Sequence, residues 1–178
     1  MNIFFLSLDP LEIAQMSCDQ HVVKIQLEIV QMLYMAWHFA GQAEYIEKNA
    51  PFTKDGLCRG YRPAHPKHPM TMWVASCVEN YVYACKIGIA LTLEYTRRYD
   101  KVHTCAKHLM WLWDHHPSYS EERHSETAYY SIEGIPECMP DQYRQPSIVD
   151  AYQLYYMVEK MSFARYKNIT SGLGSGSS

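Results

Sequence analysis

The longest stretch of apolar side chains lies between Asp19 and Ala40, with no glycine or proline before Gly41. Its Val, Ile, Leu and Met positions recur at helical spacing and cover most of the circumference. That pattern predicts a central, buried helix over 19–40. Upstream, residues 2–8 (NIFFLSL) are short, apolar and β-prone, and Asp9-Pro10 stops them. They predict a strand or extended arm packed on the core. A short helix over 10–16 follows, with Asp9 as N-cap and Pro10 in its first turn. Residues 42–49 predict a polar helical turn. Residues 50–69 read as a loop punctuated by Pro51, Gly56, Gly60, Pro63, Pro66 and Pro69. Further helices are predicted over 69–99, 104–113 and 147–167, the last capped by Ser147 with Asp150 three residues on. A long polar loop fills 117–146. The pattern predicts an all-α, compact multi-helix single domain over 1–170 with a short extended N-terminal arm. Residues 171–178 (SGLGSGSS) read as a flexible Gly/Ser tail.

One stripe interrupts the apolar surface of the 19–40 helix. His21, Lys24, Glu28, Gln31, Met35 and His38 follow one another at steps of three and four, so they line one face. The stripe admits two readings. It is either a solvated face, with Lys24 and Glu28 as an i,i+4 pair, or the polar floor of a cleft. In a cleft, a lysine against apolar walls becomes an amine nucleophile. A glutamate one turn away can move protons or hold a developing cation, and His21 would complete the site.

Composition narrows the functional classes. The 178 residues carry 16 Lys+Arg against 19 Asp+Glu, a formal net charge of −3, which excludes a strongly basic nucleic-acid binder but not a local patch. Six cysteines without a CxxC are too sparse for a disulfide scaffold and predict a reducing, intracellular setting. No apolar run reaches membrane-spanning length, and the start MNIFFLSLDP lacks the basic region of a signal peptide. The sequence has no Walker loop, GxGxxG, nucleophile elbow or HExxH.

Other clusters are candidates at lower weight. His65-Pro66-Lys67-His68 precedes a helix start and, with Arg62, could bind an anion; metal binding by the two histidines and a solvated surface loop are the alternatives. Arg97, Arg98, Lys101, His103 and Lys107 form the densest basic cluster, suited either to phosphate or to the end of a helix dipole. Cys105, His108, His115 and His116 resemble half of a zinc site. Tyr152, Tyr155, Tyr156, Met157 and Met161 predict core packing, and Glu159-Lys160 a solvated pair.

Asp19-Gln20-His21, with Glu28 seven residues on in a helix, resembles the first-helix motif of pyrimidine-dimer glycosylases of the phage T4 endonuclease V type. The resemblance implies a compact all-α enzyme that flips a nucleotide. It implies a catalytic Glu28 and a Schiff base formed by the N-terminal α-amine. Gln20, His21 and Glu28 are the matching positions. His68-Pro69 before an aromatic-rich helix, and the closing text at 163–167, are weaker echoes. The chain departs from that pattern in its acidity, in Leu27 and Gln31 where the family has arginines, and in Asn2, which predicts a retained Met1. The chain is also similar over nearly its whole length to a group of phage and large-DNA-virus proteins, through the start MNIF and residues 18–24, 65–69, 94–99 and 139–143. That likeness implies the cytoplasm or nucleus of an infected host.

The favoured expectation is a glycosylase/AP lyase acting on DNA or a nucleotide through an amine, without cofactor or metal. Its catalytic residues are Glu28, Lys24, His21 and Met1. Its substrate- or phosphate-binding residues are Gln20, Arg62, His65, Lys67, His68, Arg98, Lys101 and His103. A non-enzymatic binding module on the same fold and a His/Glu metalloenzyme are the alternatives.

Overall fold

A computed structural model describes residues 2–119 and 134–167. Among these the chain is all-helical: α1 (Pro10–Met16), α2 (Asp19–Phe39), α3 (Ala43–Asn49), α4 (Pro69–Val74), α5 (Val78–Tyr99), α6 (Ala106–Asp114) and α7 (Ile148–Glu159), with a 3-10 turn at Asp141–Tyr143. An isolated antiparallel bridge joins Phe52 and Arg59. Among the described residues no helix is long and apolar enough to cross a membrane.

The N-terminal signals act as their chemistry requires. The Asp9 carboxylate accepts from Leu11 N and Glu12 N, with Pro10 first in α1. Ser147 Oγ likewise accepts from Asp150 N at the start of α7. The arm is extended, no strand pairs with it among the described residues, and Ile3 and Phe5 are fully buried. Phe5 meets Trp73, Tyr83 and Tyr152, so the arm plugs the space between α4, α5 and α7.

The expected helix over 69–99 is two helices. Ser76 Oγ donates to Trp73 O at 2.8 Å, and Asn80 Nδ2 donates to the same carbonyl at 3.1 Å. Side chains thereby replace the helical partner of that carbonyl, and Cys77 turns extended. The expected helix over 147–167 stops at Glu159 for a tertiary reason. The closing segment unwinds to cover the start of α2, where Arg165 O accepts from Asp19 N and Lys167 N donates to Asp19 Oδ1. The 117–146 loop falls partly, and the 171–178 tail wholly, outside the described residues.

α2 is the central helix and makes its largest contact with α5. The two pass closely at Gly88, where an added Cβ would lie 3.2 Å from Ile29 and 2.5 Å from Leu109 of α6. The abundant tyrosines serve this core. Tyr34, Tyr81, Tyr152 and Tyr156 are buried, and each hydroxyl is hydrogen-bonded.

Two close fits yield predictions. Gly60 sits at φ +65°, and a Cβ there would lie 2.3 Å from Ile46 and 3.1 Å from Tyr34. Gly60→Ala combines left-handed strain with overpacking, and its expected cost is about 3 kcal/mol in thermal or urea unfolding. A stability equal to wild type would show that the loop yields freely there.

His108 is fully buried on α6, with Nδ1 2.8 Å from Tyr34 Oη. Burial, with Lys107 adding to it, lowers its pKa from 6.5 to about 4. His21 is lowered to about 4 as well, by burial first and then by Lys160. Between pH 6.5 and 4 the unfolded chain therefore binds more protons, so stability falls as pH falls through that window. For His108 the full effect is about 3 kcal/mol at 1.36 kcal/mol per unit. Urea midpoints measured across this range should decline, and less steeply in His108→Gln. Equal slopes in both proteins would remove His108 from the account.

Candidate active site

The polar stripe of α2 is a cleft floor at its N-terminal half. Glu28 and His21 are each 8% exposed, whereas their apolar neighbours Val23 and Leu27 are 39% and 36% exposed. Here the helix buries an acid and exposes a valine, which makes this face the candidate site.

Glu28 is held from two sides. Asn2 N donates to Glu28 Oε2 at 2.8 Å, and Lys24 Nζ lies 3.4 Å from Oε1. A cavity of about 270 Å³ opens here, lined among others by Asn2, His21, Lys24, Glu28, Tyr155 and Lys160. The arm is fixed in it by a hydrogen-bond relay. Tyr152 Oη donates to Pro136 O, Asn2 Nδ2 donates to Cys138 O, and Cys138 N donates to Tyr152 Oη. Burial pushes the Tyr152 phenol above its ordinary range, which keeps it a donor.

His21 stacks on Phe4 at 4.6 Å, and its Nδ1 is 2.8 Å from Tyr156 Oη. Cys18 N donates to the same oxygen, so Tyr156 Oη joins the start of α2 to the His21 ring. With its pKa near 4, His21 is a neutral group at pH 7. Lys24 is 71% exposed, so nothing apolar encloses its ammonium, contrary to the desolvation expected of a nucleophilic lysine. Lys160 lies 4.9 Å over the Tyr155 ring, while Glu159 accepts from Tyr143 Oη. The expected Glu159–Lys160 pair is thus two separate contacts, and Lys160 faces the cavity.

The remaining candidates divide. His68 caps α4, its Nδ1 accepting from Met70 N at 3.2 Å. Burial lowers its pKa. His65 is exposed in a left-handed conformation, φ 48°. Gln20, Arg62, Lys67 and Lys101 are exposed. His103 packs on Tyr95 and accepts from Cys105 N, which makes it a turn-forming residue ahead of α6. Arg98 is fully buried and bonded to Glu94 and Asp19, so its guanidinium serves the fold rather than a surface phosphate. Met1 lies outside the described residues. Among the described residues no three His, Cys, Asp or Glu side chains gather as metal ligands.

Sequence reasoning missed Asn2, Tyr155, Cys138 and Lys160. Their approach to Glu28 depends on the arm and α7 meeting across α2, which no local pattern encodes. No family model, curated protein or solved structure matches this chain.

Proposed function

We propose that the chain is a DNA glycosylase/AP lyase that attacks the damaged sugar with its terminal amine and uses Glu28 to move the protons. The observation that supports this most is the 2.8 Å hydrogen bond from Asn2 N to Glu28 Oε2. If the initiator were removed, that nitrogen would itself be the α-amine. If Met1 is kept, the α-amine is one residue further along the chain.

An α-amine has an ordinary pKa near 8, roughly, and keeps a neutral fraction at pH 7. The Lys24 side chain is instead 71% exposed, with its Nζ 3.4 Å from Glu28 Oε1. In the proposed step the amine nitrogen bonds to the sugar C1′ as the base leaves with the glycosidic electron pair. Glu28 accepts one amine proton and delivers it to the ring oxygen O4′ as the C1′–O4′ bond breaks and the nitrogen forms its double bond to C1′, leaving a ring-opened protonated imine, while the departed base takes a proton from solvent. The neutral His21 and the cations Lys24 and Lys160 border the pocket where the sugar and phosphate would lie.

Borohydride trapping tests the reading on protein whose N-terminus has been verified by intact mass. A covalent adduct with abasic-site DNA, lost on N-terminal acetylation, is expected. Adduct formation by the acetylated protein would reject the terminal amine, and no adduct with either protein would reject the imine mechanism.

A further inference from the structure

The α2 stripe does not end at Glu28. Gln31, one turn on, lines a second cavity of about 760 Å³. His38, two turns further, lines a third of about 510 Å³. The segment 53–63 walls both, and Leu57, Tyr61 and Arg62 border each. One element joins the second cavity to the Glu28 pocket. Along α2, Glu28 and Gln31 are one turn apart on the same face.

The wall is a preformed tip. Thr53 N donates to Cys58 O at 2.9 Å, and Gly56 turns at φ 71°. Asp55 is consumed inside it, accepting from Thr53 Oγ1 at 2.6 Å and Leu57 N at 3.1 Å. Arg59 is consumed as well, donating to Ala50 O and covering Phe52. Lys54 and Arg62 stay exposed at the rim, and Leu57, at the apex, is 84% exposed. An exposed leucine on a hydrogen-bonded tip, in a cavity that Lys54 and Arg62 also line, suits a ligand with apolar faces and a charged backbone.

We propose that this groove carries a nucleic-acid strand away from the Glu28 pocket, with Lys54 and Arg62 on its phosphates and Leu57 against its bases. The proposal rests on reading the Glu28 pocket as a nucleic-acid site and extends it from one nucleotide to a strand. From Glu28 to His38, α2 rises about 15 Å, room for about four stacked nucleotides. The bases meet Leu57 and the half-buried Tyr61, and contact of this kind tolerates any sequence.

The test is fluorescence anisotropy with a labelled single strand of about twelve nucleotides, within the usual range of site sizes. Wild type is compared with Leu57→Glu and with Lys54→Ala plus Arg62→Ala, all at surface positions. Each variant should weaken binding at least about tenfold, and the double variant should lower the salt slope by about 1.4, at 0.7 per phosphate contact. Wild-type affinity in both variants, or no binding by wild type, would overturn the groove. Trapping on abasic DNA in the same proteins separates the two ideas. Intact trapping with unchanged strand binding removes the groove alone. Weakened binding in the variants, with no trapping in any protein, keeps the groove and removes the imine chemistry.

Discussion

Arg98→Ala is expected to cost about 4 kcal/mol of folding stability, the range found when one partner of a buried ion pair is removed. The Arg98 side chain has no exposed surface, and Glu94 beneath it is 5% exposed. Arg98 Nε donates to Glu94 Oε1 at 2.6 Å, and Nη1 donates to Asp19 Oδ1 at 2.9 Å. Nη2 reaches the carbonyls of Ala14 and Gln15 at 3.5 and 3.1 Å. One guanidinium thus ties the end of α1, the start of α2 and the end of α5. Burial raises the Glu94 carboxyl, but hydrogen bonds from Arg97 and Arg98 outweigh it and hold the group below its ordinary value. Truncation would leave a buried carboxylate with half of its support. For a domain of this size the melting temperature should fall by about 8–16 °C. Arg98→Lys keeps the charge but not the fork of donors, so it should recover less than half of the loss. A loss below about 1 kcal/mol, the range of an exposed pair, would show the network to be dispensable.

Most helices and their starts were legible because local chemistry fixes them, but the separate start of α5 was not, since the break before it rests on the Ser76 and Asn80 side chains. Asp9-Pro10 and Ser147 announce caps, and the run after Asp19 can satisfy its apolar surface only as a buried helix. The end of α7 was not legible, because Arg165 and Lys167 leave helical geometry to bond Asp19, 148 residues away for Lys167. Arg98 was misleading for a related reason. A basic cluster at a helix end reads as surface, and nothing within it says that Asp19 and Glu94 will close over one member. The site was half legible. His21, Lys24 and Glu28 belong to one helix face and announce themselves by spacing. Asn2 and Lys160 belong to other elements and join them through the packing of Phe4, Tyr155 and Tyr156.

Glu28→Gln should lower borohydride-trappable turnover by about 10²- to 10⁴-fold, the usual worth of a positioned proton-transfer group. The substitution is close to isosteric. The amide oxygen can still accept from Asn2 N, which donates to Glu28 Oε2 at 2.8 Å, so the arm stays docked. What is lost is the capacity to take up and return a proton, together with the negative charge that would stabilise a developing cation. Stability should change little, because Lys24, the nearby cation, is solvent-exposed and a pair of that kind contributes at most about 1 kcal/mol. The comparison with Lys24→Ala separates chemistry from charge balance. If the terminal amine is the nucleophile, Lys24→Ala should trap within about tenfold of wild type, as expected for the loss of one phosphate or rim contact. If Lys24 were the nucleophile, its removal would abolish the adduct while acetylation of the N-terminus would spare it. Full activity in Glu28→Gln would move the proton relay elsewhere, and the inverted burial on α2 would then need another cause.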